Sequence, residues 1–437
     1  MSGFDSLRRS WGSAIGALAT VFVVLGASYA SAQQPPTTGA TPYVRPVPSR
    51  GETVTSRKRP QYDPVGIRVG SFFVYPSFEF TELFDSNIFA TSTNAKTDFV
   101  AILSPEIAVR SNWRRHELNF GARGDIGRYK SHQKENYEDF STVINGRYDI
   151  SRSTIVFAGF RFAQRHEDRG SPDDVGGKVP TTFLATELAG GAQHIFGRFT
   201  VRFDGTIRLL DFRDVAAAGP VELIDNDDRD RREHTGVLRL TYRVNPRLAV
   251  FAQGTGVYVR YNEQLDNAGL RRSNVGFAVV GGVVFELTGK LVIEAFAGFS
   301  RRTYESSLLS TVSGPSGGLS LTWTPTGLTT VKLAVARSIE QTTLIGASGF
   351  FATQARASID HELRRNIILN GFGSFQNDDY EGTSRNDNYI RAGLGATVLI
   401  NRNLNMYGGY EFTRRISNVT GSGFVRHLVI FKIKGQI

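Results

Sequence analysis

The stretch Val201-Arg202-Phe203-Asp204-Gly205-Thr206-Ile207-Arg208-Leu209 decides the fold of this chain. Apart from the glycine, its odd positions are apolar and its even positions are charged or polar. Because successive side chains of a strand point to opposite faces, the stretch predicts a β-strand with one apolar and one charged face. The apolar face would contact a second sheet in a soluble sandwich, or lipid in an outer-membrane barrel whose charged face lines a lumen.

The lengths of the connections between such segments distinguish the sandwich from the barrel. The same alternation recurs from Phe72 to the end of the chain, and short turns rich in Asn, Gly, Pro and Ser alternate with longer polar connections. The short turns lie at 111–114, 150–153, 196–198, 244–247, 287–290, 323–327, 361–366 and 401–403. Longer connections lie at 85–97, 167–180, 216–232, 262–272 and 378–388.

This sorting of short turns and long loops is typical of a transmembrane barrel, which has its turns on one rim and its loops on the other. A soluble sandwich has no reason to sort them. We therefore predict an all-β fold, a transmembrane antiparallel up-and-down β-barrel of about 18 strands (range about 16–18) over residues 71–437. An even strand number places both termini on the short-turn side, which we expect to be periplasmic.

The first 32 residues predict a secretory signal peptide. Arg8 and Arg9 precede an apolar run over 14–30, which ends in the small residues Ala30-Ser31-Ala32. An uncleaved N-terminal anchor is the alternative. Residues 33–70 are rich in Pro, Thr, Ser and Arg, a composition that cannot bury a core, so we expect a disordered basic Pro-rich periplasmic arm. This arm is either a solvated spacer or a segment that touches a partner or the cell wall.

The apolar face of each predicted strand should contact lipid. Such sets include 118–126, 156–162, 291–299, 390–400 and 425–433. Aromatic residues expected to form girdles at the membrane interfaces are Trp113, Phe196, Phe285, Trp323, Tyr407 and Tyr410. One strand, Val250–Tyr261, has an uncertain register because Arg260 falls on the lipid face. A bulge or a position above the membrane would account for it.

The opposite face carries charges of both signs with a basic excess. The cations predicted to line the lumen are Arg123, Arg147, Arg161, Arg202, Arg208, Arg239, Arg243, Arg391, Arg426 and Lys432. Barrels of this size are too wide for their own side chains to fill, so the lumen should be an aqueous channel. Rings of Arg and Lys favour anions. In the alternative interpretation, each Arg pairs with a carboxylate of a neighbouring strand and only stiffens the wall.

Composition argues against other classes of protein. The chain has one long apolar run, at its start, so it is not a bundle of membrane-spanning helices. It has no Cys, and its 7 His have no metal-ligand spacing, so we predict no metal, no cofactor and no enzyme. A barrel hydrolase built on His166 with Asp168, or on His234 with Asp230, is the weaker alternative. The net charge of +10 is spread along strands of an exported chain, so nucleic acid is not an expected partner.

Three stretches carry a family resemblance. Residues 84–89 read Phe-Asp-Ser-Asn-Ile-Phe, residues 98–105 read Asp-Phe-Val-Ala-Ile-Leu-Ser-Pro, and residues 111–116 read Ser-Asn-Trp-Arg-Arg-His. They resemble the outer-membrane beta-barrel porin family of Gram-negative bacteria, many of whose members accompany exopolysaccharide or capsule genes. The resemblance implies a barrel in the outer membrane. One departure is the C-terminus, which ends on Ile437 and not on an aromatic residue.

From these observations we predict a porin-like conduit, with export of an anionic exopolysaccharide as the leading hypothesis. Expected partners are outer-membrane lipid, the secreted polysaccharide and periplasmic export components. A general diffusion porin for small solutes is the second hypothesis. A structural or adhesive barrel with a plugged lumen is the third. The pattern leaves open whether the loops at 167–180 and 216–232 fold inward as a constriction.

Overall fold

The computed structural model describes residues 53–217 and 223–437, so the predicted signal peptide and the arm up to residue 52 lie outside the described residues. Within the described residues, no helix is long and apolar enough to cross a membrane. The described chain forms 18 long strands, numbered here β1 to β18. Their bounds are, in order, Phe72–Asp85, Asp98–Ser111, Glu117–Tyr129, Tyr137–Asp149, Thr154–His166, Thr182–Phe196, Phe199–Phe212, Arg231–Asn245, Leu248–Tyr261, Asn274–Thr288, Leu291–Tyr304, Val312–Thr326, Thr329–Glu340, Gly349–Arg364, Ile367–Glu381, Asn386–Leu399, Leu404–Ser417 and Phe424–Gln436.

Each long strand pairs antiparallel with the next one along the chain, and the last pairs with the first. The closing ladder between β18 and β1 runs from Ser77 opposite Gln436 to Asp85 opposite Leu428. Because the sheet closes on itself, no long strand presents an unpaired edge, as a membrane-spanning sheet requires. The predicted fold class, an antiparallel β-barrel of about 18 strands, is confirmed.

Three short strands complete the described sheet structure. Ile67–Val69 precedes β1 and pairs back onto it, with Ile67 opposite Val74. Val215–Ala216 and Leu223–Ile224 pair within the connection between β7 and β8.

Short turns lie at one end of the barrel and most longer connections at the other. One predicted long loop is wrong, because only residues 382–385 separate β15 from β16. The acidic composition of 378–388 reads as a loop, but Asp378 and Asp387 are buried on strands. Gln376 Nε2 donates to Asp378 at 2.9 Å, and Arg385 lies 2.8 Å from Asp387. Because Gln376 and Arg385 bind these carboxylates, the two aspartates can lie on strands with their side chains directed to the interior.

The two faces of the barrel wall differ as the alternation predicts. The outward face carries exposed apolar side chains such as Leu188, Val279 and Leu394, whereas the inward face is mostly polar. Trp113, Phe196, Trp323 and Tyr410 are also exposed. Tyr407 was expected in an aromatic girdle, but it lies on the inward face.

Tyr407 is opposite Lys432 in the ladder, and the ammonium of Lys432 lies 5.7 Å from its ring centroid. The two glycines that follow Tyr407 blur the alternation there, which explains the wrong assignment. The register of β9 is regular from Ala249 to Tyr261, so a bulge does not account for Arg260. Arg260 faces outward near the long-loop end, opposite Arg232.

The described part of the N-terminal arm, residues 53–69, packs against the short-turn end of the barrel. Val54 N donates to Thr330 Oγ1 at 2.9 Å, and Arg59 lies 2.7 Å from Glu362. All four of these residues are buried. This part of the arm therefore differs from a solvated spacer, because its contacts with β13 and β14 offset the entropy lost on ordering it.

Candidate functional site: the lumen and its long-loop mouth

The cations that the sequence assigns to the lumen all lie on the inward face in the observed register, and most of them are ion-paired. Those with a carboxylate within ion-pair distance are Arg123, Arg147, Arg202, Arg208, Arg239, Arg426 and Lys432. In the described ranges, Arg161, Arg243 and Arg391 have no carboxylate within that distance. The proposed role of this set in conduction stays a prediction.

Arg123 shows what the paired cations do. Its guanidinium lies 3.0 Å from Asp125, 3.4 Å from Glu79 and 3.5 Å from Glu106. Lys432 and Lys434 approach Glu79 and Glu106 from β18, at 3.8 and 3.1 Å. This network joins β18, β1, β2 and β3 across the closing ladder, so it stiffens the wall where the two ends of the chain meet.

A row of three arginines crosses the inward face from β14 to β18. Arg356 is opposite Ser374 on β15, and Ser374 is opposite Arg391 on β16. Arg391 is opposite Thr413 on β17, and Thr413 is opposite Arg426 on β18. Since neighbouring strands are about 4.8 Å apart, successive arginines of the row have backbones about 10 Å apart.

The members of this row differ in their contacts. Arg426 is bound to two carboxylates, whereas Arg356 lies over the ring of Phe372 at 4.1 Å from its centroid. In Arg391, Nε and Nη2 are buried and donate no hydrogen bond within the described part of the chain. The inward carboxylate Glu411 is among the groups whose charge acts on both Arg356 and Arg391. The row therefore includes guanidinium groups that no carboxylate of the described residues binds in an ion pair.

The connection between β5 and β6, residues 167–181, is held to several parts of the long-loop mouth. Glu167 is fully buried and lies 2.8 Å from Arg229, in the connection between β7 and β8. Asp168 lies 3.1 Å from Arg426 on β18. These two consecutive residues thus bind partners on opposite sides of the loop. Arg229 lies next to β7, and Arg426 lies on β18, beyond β1.

Further contacts extend the same loop across the mouth. Arg169 lies 2.8 Å from Glu135, in the connection between β3 and β4. The carbonyl oxygen of Gly170 accepts from Arg415 on β17 at 3.1 Å. Thr342, in the connection between β13 and β14, donates to Asp173 at 2.9 Å. Since these partners stand around the rim, the β5–β6 loop lies across the lumen and does not project away from it.

The end of the β13–β14 hairpin also turns inward. The ladder between β12 and β13 stops at Gly317 and Arg337, although β13 and β14 stay paired up to Glu340. Beyond that point, Ile339 and Phe351 pack with Tyr304 and Val312, which belong to the inward faces of β11 and β12. Two elements therefore narrow the long-loop mouth.

Burial and charge act together on the carboxyls of the β5–β6 loop, which lie outside the membrane-spanning strands. Burial raises the pKa of Glu167, although Arg229 opposes the shift. Burial also acts to raise the pKa of Asp168, but the Arg426 guanidinium and the backbone N–H of Gly170 outweigh it and lower this pKa. Asp168 is therefore ionised at neutral pH, as its contact with Arg426 requires.

The residues proposed for a barrel hydrolase do not come together. His166 Nδ1 lies 3.0 Å from Asp139, and its ring stacks on Tyr137 at 3.9 Å, while Asp168 binds Arg426 instead. His234 faces outward, with its ring 6.0 Å from that of Tyr258. At the long-loop rim, His166 therefore contacts Asp139 and Tyr137, and His234 lies beside Tyr258.

One group of carboxylates has a spacing that suits a metal ion. Oxygen atoms of Asp214, Asp225 and Asp227 lie within 4.8 Å of one another in the connection between β7 and β8. All three residues are exposed, and exposed acidic groups often occur without a metal.

The sequence alone did not identify the residues that bring the β5–β6 loop inward. Glu135, Arg229 and Arg415 read as ordinary solvated charges, since no local spacing links them to residues 167–173. The only available signal is the density of charge in Glu167-Asp168-Arg169 beside a strand end.

Comparisons with known proteins found remote similarities to solved structures. Among solved structures, Pseudomonas aeruginosa OpdL has 10% identity and a TM-score of 0.44, over 84% of this chain and 99% of that one. The outer membrane protein OpdK of the same organism has 12% identity and a TM-score of 0.42, over 83% and 99%. P. aeruginosa OccK2 (OpdF) in complex with glucuronate has 9% identity and a TM-score of 0.43, over 84% and 99%.

A search of the curated proteins found no match. A family model described as "Putative beta-barrel porin 2" matches residues 59–437, which is the barrel together with the end of the arm. The match confirms the family resemblance and the coarse functional class, a channel of the outer membrane. The chain belongs to the beta-barrel porin 2 family and is an outer-membrane β-barrel of the porin type.

Proposed function

We propose that this porin passes small hydrophilic solutes and favours anions, with its short turns and both termini in the periplasm. The observation that carries the proposal is the β5–β6 loop, which is held across the long-loop mouth by Arg229, Arg415 and Arg426. A long polymer needs a continuous open path through that mouth. The loop therefore favours the diffusion porin over the conduit for an exopolysaccharide, reversing the order that the sequence suggested.

The balance of lumen charges supports a preference for anions. Many inward carboxylates form an ion pair with an Arg or Lys side chain, as Glu106 does with Arg123 and Glu294 with Arg239. Arg161 on β5 and Arg356 on β14 are exposed and make no ion pair within the described residues, and these strands stand on opposite walls. Guanidinium groups without a carboxylate raise the local concentration of anions in an aqueous passage with low-dielectric walls.

Export of an anionic exopolysaccharide remains a second candidate, supported by the same cations along the inward face. Export would require the β5–β6 loop to move out of the mouth. Periplasmic export components would then bind at the short-turn rim. A structural barrel with a plugged lumen is the third candidate. It would conduct no ions.

Planar bilayers test the proposal. In a salt gradient, the purified protein should conduct with a reversal potential that indicates anion preference. Replacing Arg161 and Arg356 by Gln should move that potential towards zero. The matched control K96Q/K134Q removes two exposed cations from the β1–β2 and β3–β4 connections and should change it little. A silent barrel, or a cation-selective one, would refute the proposal.

A deletion strain separates the two transport candidates. We expect loss of the gene to slow uptake of small anionic solutes and to leave secreted polysaccharide unchanged. Loss of secreted polymer with normal solute uptake would favour export.

A further inference from the structure

The rim formed by the short turns is basic, and its cations lie outside the lumen. Every short turn except 327–328 contains an arginine or lysine, and none contains an aspartate or glutamate. The cations, which we call the rim cations, are Arg114, Arg115, Arg152, Arg198, Arg247, Lys290, Arg365 and Arg402. They are distributed around the whole circumference because each turn contributes its own.

The rim cations are exposed and, among residues 53–217 and 223–437, almost free of carboxylate partners. Arg365 comes within 4.0 Å of Glu362, but Glu362 is already 2.7 Å from Arg59. Arg115, Lys290 and Arg402 donate to backbone carbonyl oxygens only. An exposed ring of cations that lacks anions of its own can attract anions from outside the protein.

Aromatic side chains place this ring relative to the membrane. Trp113 precedes Arg114, and Phe196 and Phe199 flank Arg198 with their rings stacked at 5.5 Å. All three aromatic residues are exposed, as is Trp323 in the strand that leads to the turn at 327–328. Aromatic belts of membrane barrels lie at the boundary between hydrocarbon and headgroups, so the adjoining cations lie at the depth of the lipid phosphates.

The opposite rim has a different charge. The connection between β7 and β8 contains the exposed carboxylates Asp214, Asp225 and Asp227, and the β5–β6 loop adds Asp173 and Asp174. The long-loop connections thus contain carboxylates as well as cations, whereas the short turns contain cations and no carboxylate.

We propose that the short-turn rim binds the phosphate groups of anionic phospholipids in the leaflet that surrounds it. Guanidinium groups donate two hydrogen bonds to a phosphate, and a cation near an anionic membrane surface is attracted to it. The lipid contact is a function separate from solute passage. The identification of that leaflet as the periplasmic one rests on the orientation in the proposed function, whereas the lipid contact itself does not.

The tryptophans of the chain provide a probe of this rim. Of the 3 Trp, Trp11 lies in the predicted signal peptide, and Trp113 and Trp323 both lie beside the short turns. In vesicles of a protein that begins at residue 33, brominated phospholipids should quench only tryptophans of this rim. Brominated phosphatidylglycerol and brominated phosphatidylcholine are compared in otherwise identical mixed vesicles.

We expect phosphatidylglycerol to be preferred at the rim by about five-fold at low salt, with a smaller preference at high salt. The variant R114Q/R152Q/R198Q/R247Q should lose most of this preference. The control K96Q/K130Q/K134Q/K178Q removes as many exposed cations from the long-loop side and should keep it. Equal quenching by both lipids in the native protein, or an unchanged preference in the rim variant, would overturn the proposal. Heat-modifiable migration on gels verifies that each variant is a closed barrel.

Discussion

Asp168, the second residue of the β5–β6 loop, lies 3.1 Å from Arg426 on β18, and the same guanidinium binds Asp85 on β1 at 2.9 Å. One side chain thus joins the loop across the mouth to both strands that close the barrel. Because Asp85 remains bound when Asp168 is lost, the loop can be loosened at this contact without opening the closing ladder.

Replacing Asp168 by Asn should therefore increase the conductance of single channels and the noise of the open state. The substitution leaves Arg426 bound to Asp85, so the barrel should stay folded. Single-channel recording in planar bilayers measures the effect. The control D227N removes an exposed carboxylate that makes no ion pair in the described part of the chain, and should leave conductance unchanged. If D168N conducts like the native protein, Asp168 does not hold the loop.

The buried pair of Glu167 and Arg229 provides a second test of the loop. Removing one partner leaves a buried charge without compensation, which costs about 3–5 kcal/mol. We expect E167Q and R229Q each to increase hydrogen exchange over residues 167–181, and the double variant to exchange less than the sum of the two predicts. Strictly additive effects would mean that the two side chains do not stabilise each other.

The barrel was predictable from sequence because its determinants are local. The alternation in residues 201–209 and the Asn, Gly and Pro of the turns fix strand faces and rims without reference to distant residues. The contacts at the long-loop mouth, in contrast, join residues that are far apart in the sequence. Asp168 and Arg426 are separated by most of the barrel sequence, and nothing in either stretch marks the other as its partner.

The same reason explains why the lumen was only partly predicted. The inward face of Arg123 follows from alternation, but whether its charge is neutralised depends on Glu79 and Glu106, which lie on other strands. Arg161 and Arg123 look alike in sequence, yet only Arg123 has ion-pair partners in the described residues. Register across strands, and not composition, decides which cations can act on a solute.

The docked part of the arm gives a prediction about the short-turn end. In the native protein Arg59 is buried against Glu362, so trypsin should cleave slowly after the neighbouring Arg57 and Lys58. E362Q should make this segment cleavable within minutes while the barrel resists. The control E138Q removes an exposed partner of Arg128 and should not change the cleavage. Equal protection of the arm in E362Q would show that the ion pair does not hold it.

The connection between β7 and β8 should become more ordered as the pH falls from 7 to about 4.5. Burial raises the pKa of Asp230 to about 6, and its carboxyl accepts a hydrogen bond from Phe212 N at 2.6 Å. A carboxyl whose pKa is raised in the folded state binds more protons there than in the open loop, so loop stability falls as pH rises between about 4 and about 6. Repulsion from Asp214 raises the pKa of Asp227 and acts in the same direction.

Hydrogen exchange over residues 223–230, corrected for the intrinsic dependence on pH, measures this effect. Protection should be greater at pH 4.5 than at pH 7, and D230N should remove most of the difference by eliminating the group with the pKa of about 6. The strand Val201–Leu209 should show no such change, since its ladder bonds involve no titrating group. Greater protection at pH 7 would mean that the ionised form of Asp230 is the one that the folded loop prefers.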